Sequence, residues 1–280
     1  MTISEWTKSA IDALKRSGCP DPEIDARWIA EDVLGMSASE LRFEAQKTPD
    51  TRKLLALEDR LCRRCAGEPV QYILKRADFM GLKLYVDERV LIPLQDTETL
   101  TEAAIVALQG KPKASVLDLC AGSGAIGLSI ATLVPGAKVT LADLSADALE
   151  VARKNAKLLN VDADFRRGDL FQAVEWEKFD LIVSNPPYIP SGELAELQRE
   201  VKFEPAMALD GGADGLDFYR RIAEDAGKHL NPGGSVYLEV GAGEAEAALE
   251  LLRGHMDAEA SGIQKDLNGI ERIVWLRSKK

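Results

Sequence analysis

The segment Asn185-Pro-Pro-Tyr188 places an amide, two prolines and an aromatic ring directly after "DLIVS", a run that predicts a buried strand. The strand must end there because proline cannot donate a ladder hydrogen bond. The side-chain oxygen of Asn185 and the carbonyl of Pro186 can each accept one N–H, and the ring of Tyr188 can stack against a plane. A planar NH₂ group fits such a site. The predicted substrate-binding residues are Asn185, Pro186, Pro187 and Tyr188, of which Asn185, Pro186 and Tyr188 are also predicted to be catalytic.

A planar amide or amine nitrogen is a poor nucleophile, because its lone pair is delocalised into a π system. Two acceptors that draw on both N–H bonds return electron density to the nitrogen and orient it for in-line attack. The fixed φ of the prolines keeps the loop rigid during that attack. A plain turn at the end of a strand is the other interpretation of an Asn-Pro pair. Two further motifs in the chain favour chemistry.

The first of these motifs is glycine-rich. Gly122, Gly124 and Gly127 form a GxGxxG pattern between the predicted strand "ASVLDLC" and the predicted helix "AIGLSIATLV". The second motif is an acid, Asp143, which closes the next predicted strand. A dinucleotide site and an S-adenosylmethionine site both use a glycine turn followed by such an acid.

A second carboxylate decides between these two cofactors. Asp118 precedes Gly122 by four residues, late in the strand and near the start of the helix. A carboxylate there would repel a pyrophosphate bound at the helix N-terminus. S-adenosylmethionine carries an ammonium and a sulfonium group and no phosphate, so it is the predicted cofactor. The predicted cofactor-binding residues are Asp118, Cys120, Ala121, Gly122, Ser123, Gly124, Asp143, Leu144, Asp169, Leu170 and Asn185.

Asp169 and Leu170 allow a second interpretation besides cofactor binding. They follow a weaker third strand, where an acid can accept a hydrogen bond from the adenine amino group and a leucine can pack on the ring. A surface turn explains the pair equally well.

Charge and composition disfavour several classes of partner. The chain of 280 residues carries a net charge of −11. Residues 1–75 are nearly balanced in charge, and the remainder has no basic surplus of the kind that binds phosphates, so no nucleic-acid substrate is expected.

No apolar run reaches the roughly 18 residues of a membrane span, and the charged N-terminus does not resemble a signal peptide. A cytoplasmic monomer is expected. The CxxC pair Cys62 and Cys65 has no second pair, so no metal is predicted.

The order of predicted elements gives an α/β fold. Residues 1–75 predict an all-helical domain, 76–92 a β-hairpin linker, and 93–280 a catalytic domain in which strands and helices alternate. Alternation of this kind predicts a doubly wound, Rossmann-like and mostly parallel sheet, here with an antiparallel hairpin at the C-terminus. In the linker, apolar alternation at Leu82, Leu84 and Val86 predicts one strand, "DER" the turn, and 90–92 the second strand.

Several segments together resemble a known family, the peptide chain release factor glutamine N5-methyltransferases of the PrmC/HemK type. They are "VLIPLQDTETL", "VLDLCAGSGAIGLSIA", "FDLIVSNPPYIP", "FEPAMALDGGADGLDFYRRI" and "NPGGSVYLEVG". The resemblance implies a class I methyltransferase that transfers a methyl group from S-adenosylmethionine to the glutamine amide of the Gly-Gly-Gln motif in release factors. Cys120 to Gly124 would form the cofactor turn, Asp143 would bind the ribose, and 185–188 would hold the glutamine. The helical domain would help to dock the release factor.

The chain departs from that family at two places. Leu94 and Gln95 stand where the family usually has an Arg-Pro pair, and Glu244 stands where it often has glutamine. These departures bear on cofactor closure and substrate choice. A ribosomal-protein glutamine methyltransferase would have the same amide pocket and stays open as an alternative. An adenine-N6 DNA methyltransferase is disfavoured by the acidic charge, and a catalytically inactive binding module by the intact Asn185 and Asp143.

Overall fold

The computed structural model describes residues 1–280, which divide into two compact units. The smaller unit comprises residues 1–76 together with 198–203, and the larger comprises 77–197 and 204–280. Residues 198–203 were expected in the catalytic domain, because they lie within the continuous stretch 93–280 that was assigned to it. The correction has a physical cause, a buried arginine of the smaller unit that pairs with this segment.

The smaller unit is helical, as the sequence predicts. Thr2 and Ser37 each start a helix with a capping box, and Gly35 ends a helix in the left-handed conformation. Asp21 stands before the proline that opens the second helix, but its side chain makes no capping hydrogen bond. The helices are α1 (Ile3–Arg16), α2 (Pro22–Leu34), α3 (Ala38–Phe43), α4 (Thr51–Cys65) and α5 (Val70–Leu74).

A buried guanidinium, that of Arg64 near the end of α4, holds the segment 198–203 in this unit. Its Nε donates to Asp25 Oδ2 at 2.5 Å, and its NH2 nitrogen donates to Glu200 Oε1 at 2.9 Å. Both Arg64 and Asp25 are almost fully buried. Because an unpaired buried charge is costly, each ion depends on the other for its place in the fold.

The larger unit opens with a hairpin whose turn differs from the prediction. Its strands are β1 (Ala77–Phe79) and β2 (Leu82–Leu84), joined by Met80 and Gly81, which both have positive φ. Two such residues form the tight turn that suits a hairpin. The "DER" segment does turn the chain, with the Val90 N–H donating to the Asp87 carbonyl at 3.1 Å, but it joins no strands, because residues 90–92 form none. Leu82 and Leu84 do lie in β2, whereas Val86 is buried without strand pairing, so the predicted strand was too long.

A seven-stranded sheet forms the centre of the larger unit, in the order β5-β4-β3-β6-β7-β9-β8. Its first five strands are parallel, and β9 and β8 add an antiparallel hairpin at one edge. The predicted fold class is therefore confirmed. The strand before Asn185 pairs with the strand before the glycine turn. The strands are β3 (Ser115–Leu119), β4 (Lys138–Asp143), β5 (Asp164–Arg167), β6 (Phe179–Ser184), β7 (Leu230–Glu239), β8 (Ala258–Lys265) and β9 (Glu271–Ser278).

Helices cover both faces of this sheet, because successive strand residues point to opposite sides. In β3, Val116 packs into the core with α6, α7 and α8, whereas Leu117 and Leu119 pack into the core with α9 and α10. Helix α6 begins at Gln95 and has no side-chain cap. No helix of the protein is both long and apolar enough to cross a membrane. The helices are α6 (Gln95–Ala107), α7 (Ala125–Leu133), α8 (Ala146–Leu159), α9 (Asp217–Ala226) and α10 (Ala245–His255).

The buried ion pair of the smaller unit gives a prediction for stability. Arg64→Met should lower the free energy of unfolding by about 3–5 kcal/mol, because it leaves the Asp25 carboxylate buried without its partner. Urea denaturation of the full chain measures the change. Arg60→Met is the matched control, since Arg60 pairs with Asp32 in a more exposed position and should cost less than about 1 kcal/mol. Equal effects of the two substitutions would contradict the prediction.

Candidate active site

The glycine turn between β3 and α7 depends on three left-handed residues. Cys120, Gly122 and Gly124 have φ of 56°, 53° and 80°. A Cβ on Gly124 would also lie 2.9 Å from side-chain atoms of Leu128 and Leu141, closer than real contacts allow. Glycine at 124 is therefore required both by backbone conformation and by space.

Asp143, the last residue of β4, ties this turn to the next one. Its Oδ2 accepts a hydrogen bond from the Gly122 N–H and its Oδ1 accepts one from the Ser145 N–H, both at 2.8 Å. Burial raises the pKa of Asp143, and the backbone hydrogen bonds oppose that rise. A carboxylate offers about four acceptor positions, so each oxygen can still accept from a ligand hydroxyl.

A cavity of about 350 Å³ opens beside these turns, at the carboxyl ends of the parallel strands. This is where ligands bind in open α/β sheets. Seven of the residues predicted for the site line it, namely Cys120, Asp143, Leu144, Asp169, Leu170, Asn185 and Pro187. The other seven predicted residues are not in the cavity wall. Four of them form the glycine turn, namely Ala121, Gly122, Ser123 and Gly124, and the remaining three are Asp118, Pro186 and Tyr188.

Asp118 lies behind the turn, with only 1% of its surface exposed. Its Oδ2 accepts a hydrogen bond from the Gly127 N–H at 2.8 Å, while Oδ1 has no partner. Burial, together with the charge of Asp143, raises the pKa of Asp118 to about 7. The sequence placed this carboxylate near the mouth of the helix, and the structure has it holding the first turn of α7. A direct contact with a cofactor stays a prediction.

Asp169 and Leu170 also line the cavity. Asp169 Oδ1 forms an ion pair with an Arg221 nitrogen at 2.6 Å, and Leu170 is buried with φ of 49°. Buried leucine in a left-handed conformation is unusual for a plain surface turn. The position of both residues therefore favours the ligand-binding interpretation over the surface turn.

Asn185 follows β6 directly, and its amide is held from one side. Its Nδ2 donates a hydrogen bond to Thr97 Oγ1, on α6, at 3.2 Å. With the nitrogen engaged there, the Asn185 side-chain oxygen is available to accept from a bound group. The cavity wall includes Asn185, so that group would lie next to the glycine turn.

The two prolines and Tyr188 fix the backbone around that amide. Pro186 and Pro187 are buried, and Tyr188 packs against the core that α9 and α10 share with the sheet. Burial raises the pKa of the Tyr188 hydroxyl. A Cβ on Gly211 would lie 2.6 Å from the Tyr188 Cα, so the backbone at Gly211 lies directly against the loop. The predicted stacking of Tyr188 on a substrate stays a prediction.

Sequence reasoning missed several residues of the cavity wall and its support. Arg89, Leu91, Ser145, Ala148, Pro205, Met207, Ala208, Asp210, Phe218 and Arg221 also line the cavity, and Thr97 supports it through Asn185. Phe218 and Arg221 lie in the segment "DGLDFYRRI" on α9, which had been singled out only as a resemblance. Their spacing of three residues on a helix, which puts both on one face, is the signal that could have found them.

Two family models match the chain. Residues 97–201 match the Methyltransferase small domain, and residues 5–74 match the PrmC N-terminal domain. A release factor glutamine methyltransferase of Geobacter sulfurreducens is 38% identical over 97% of this chain and 94% of its own. One from Bordetella pertussis is 43% identical over 90% and 93%. This chain belongs to the release factor glutamine methyltransferase family.

A solved structure outside the family supports the fold. The T. Thermophilus 16S rRNA N2 G1207 methyltransferase, in complex with AdoMet and guanosine, superposes with a TM-score of 0.54 at 21% identity. The match covers 73% of this chain and 50% of that one. At this identity the likeness concerns the fold alone.

The departures from the usual family pattern lie near the site without entering the cavity wall. Leu94 is half exposed and precedes α6, whose first residue is Gln95. Glu244 Oε2 accepts a hydrogen bond from the Gly241 N–H at 3.0 Å, and burial raises the pKa of Glu244 to about 7. Glu244 therefore acts as a local cap after β7.

Proposed function

We propose that this protein transfers a methyl group from S-adenosylmethionine to the side-chain amide nitrogen of the glutamine in the Gly-Gly-Gln motif of a peptide chain release factor. The observation that carries the proposal is the state of Asn185, whose amide nitrogen is held by Thr97 and whose oxygen is left to accept an N–H. The names of the relatives support the choice of substrate.

The wall of the cavity suits S-adenosylmethionine better than a phosphate-bearing cofactor. Asp143 offers acceptors for ribose hydroxyls, Leu144, Leu170 and Phe218 offer apolar surface for an adenine ring, and Asp169 offers an acceptor for its amino group. Both arginines in the wall are already paired, Arg89 with Asp87 and Arg221 with Asp169. Carboxylates without a free cation disfavour a pyrophosphate. The cofactor supplies an electrophilic methyl group on a sulfonium.

The residues of this chain orient the nucleophile. Asn185 Oδ1 and the Pro186 carbonyl are proposed to accept the two N–H bonds of the substrate amide, which returns electron density to its nitrogen. The buried prolines and the chain at Gly211 hold the backbone of the loop, so the acceptors are fixed before the substrate arrives. Such preorganisation is what a weak nucleophile needs.

A transfer assay tests the substrate directly. The protein is incubated with methyl-tritiated S-adenosylmethionine and one of four acceptors: a release factor, the same factor with the motif glutamine changed to alanine, a ribosomal protein extract, or duplex DNA. Label in the first acceptor alone supports the proposal. Label in the ribosomal proteins or in DNA would point to the alternative substrates.

We further propose that the helical unit contributes to docking the release factor. Phe43, at the end of α3, is 89% exposed and is the most exposed large apolar side chain of the helical unit, so it is the one that a docked partner could best cover. Phe43→Ser should raise KM for the release factor several-fold and leave cofactor affinity unchanged. Trp176→Ser, at a 93% exposed site in the larger unit, is the matched control. Equal KM values for the two variants would remove the docking role.

Asp143→Ala should weaken S-adenosylmethionine binding by about 1–3 kcal/mol, or roughly 10- to 100-fold in Kd, because charge-assisted hydrogen bonds to the ribose are lost. Titration calorimetry measures the change. Asp147→Ala removes the same charge from an exposed position in the first turn of α8 and should leave Kd within about twofold. Unchanged affinity in Asp143→Ala would refute the ribose assignment.

Asn185→Ala should lower the rate of methyl transfer to the release factor by on the order of 10²–10³, because one of two orienting acceptors is lost. Asn185→Asp should also be slow, since its added charge beside the sulfonium stabilises the ground state more than the charge-dispersed transition state. Single-turnover assays measure the rate, and calorimetry checks that cofactor affinity persists. Asn268→Ala, an exposed asparagine in the turn before β9, serves as control. Wild-type rates in either Asn185 variant would reduce the loop to a strand-ending turn.

A further inference from the structure

A buried carboxylate, that of Glu239, lies beside Asn185 at the end of the neighbouring strand. Strands β6 and β7 are parallel and pair Ser184 with Leu238, so the next residues, Asn185 and Glu239, lie side by side. Glu239 is still part of β7, where it pairs with Ile273 of β9. Glu239 is 2% exposed, and its Oε2 has no hydrogen-bond partner. The hydroxyl of Tyr219 donates to the Glu239 carbonyl at 2.9 Å and holds this strand end in place.

Burial raises the pKa of Glu239, and hydrogen bonding by the side chains of Thr97 and Asn185 opposes that rise, so both groups lie next to that carboxylate. Thr97 Oγ1 accepts a hydrogen bond from Asn185 Nδ2 at 3.2 Å. The hydroxyl proton of Thr97 is therefore free to point to Glu239. Asn185, Thr97 and the buried carboxylate form one polar cluster.

An asparagine amide can rotate by half a turn and exchange its oxygen for its nitrogen. In one orientation Asn185 offers an acceptor to the substrate N–H, and in the other it offers a donor, which cannot bind that group. An ionised carboxylate only accepts hydrogen bonds, so it favours the orientation in which the Asn185 nitrogen faces Glu239 and Thr97.

We infer that Glu239 is a positioning residue for methyl transfer, which holds the Asn185 amide with its oxygen toward the substrate nitrogen. This role rests on the proposed function of Asn185 and extends it to a residue outside the cavity wall. Glu239 acts through Asn185 and through the Thr97 hydroxyl.

The positioning should depend on pH, because a protonated carboxyl donates as well as accepts. Burial raises the pKa of Glu239 to about 7. Among its charged neighbours, Arg272 on β9 lowers this pKa and Asp96 on α6 raises it. The other titratable groups that face it are the hydroxyls of Tyr188 and Tyr219, whose own pKa values are raised, so they stay neutral. Since the ionised form is the active one, the transfer rate should fall as pH falls through about 7.

The first test compares single-turnover rates across pH in three proteins. The wild type should show an ionisation near 7 that Glu239→Gln lacks, and Glu239→Gln should be about 10- to 100-fold slower at pH 8. Glu244→Gln is the matched control, because it removes another carboxyl with a pKa of about 7 that does not contact Asn185, and it should keep the wild-type ionisation. A wild-type rate and profile in Glu239→Gln would overturn the inference.

A second test asks whether Glu239 acts through Asn185. In an Asn185→Ala background, Glu239→Gln should change the rate by less than about twofold, since coupled residues are not additive. An equal loss in both backgrounds would overturn the role. Should Glu239→Gln fold poorly, Thr97→Val and Thr97→Ser test the same polar cluster. The valine variant should lose rate and the serine variant, which restores the hydroxyl, should recover it, with cofactor affinity unchanged in both.

A spectroscopic test does not depend on the substrate. The side-chain NH₂ signals of ¹⁵N-labelled Asn185 should titrate near pH 7 in the wild type and lose that titration in Glu239→Gln. If the release factor accepts no label but this titration is present, the proposed function fails and the orientation of Asn185 by Glu239 stands. If the release factor is methylated and the Asn185 signals do not respond to Glu239, the inference fails.

Discussion

The parallel pairing of β3 with β4 on one side and with β6 on the other is the constraint on which the site depends. It brings three strand ends to one edge of the sheet, with the glycine turn, Asp143 and Asn185 each directly after or at the end of a strand. No two of these are neighbours in sequence. Only main-chain hydrogen bonding in this order sets their spacing, and the Asp143 carboxylate then fixes the glycine turn by accepting from Gly122.

Residues with a local signal could be predicted from the sequence. Asn185 and Asp143 each stand at the end of an apolar run that predicts a strand, and after Asn185 two prolines mark the point where the strand has stopped. Thr97 and Glu239 could not be found this way, because a threonine in a helix and a glutamate in a strand carry no signal until the fold places them beside Asn185. Asp118 could be predicted only in part. Its position along the strand was read correctly, but the direction of its side chain, toward Gly127, is a tertiary property.

The fold as a whole was more predictable than its connections. The alternation of strands and helices was enough to predict a mostly parallel, doubly wound sheet. Each apolar run is long enough to recognise, and the order of the elements allows few topologies. The hairpin before α6 was misplaced because Val86, which is buried without strand pairing, extended the apolar alternation beyond the end of β2 at Leu84. Its true turn, at Met80 and Gly81, needs positive φ at both positions, and methionine gives no hint of that. The segment 198–203 could not be assigned either, since its place depends on the Arg64 pair with Glu200, which is distant in sequence.

Because segment 198–203 belongs to the helical unit, that unit is more than an N-terminal domain. The unit is discontinuous, because it consists of residues 1–76 and of residues 198–203. In sequence, the second piece lies between the Asn-Pro-Pro-Tyr loop and Pro205, a residue of the cavity wall. A chimera that exchanges only the first 76 residues with a relative would therefore inherit a mismatched partner for Arg64. For recombination to exchange the unit intact, Glu200 and its neighbours must be carried along. Arg64, Asp25 and Glu200 should therefore change together as such proteins diverge.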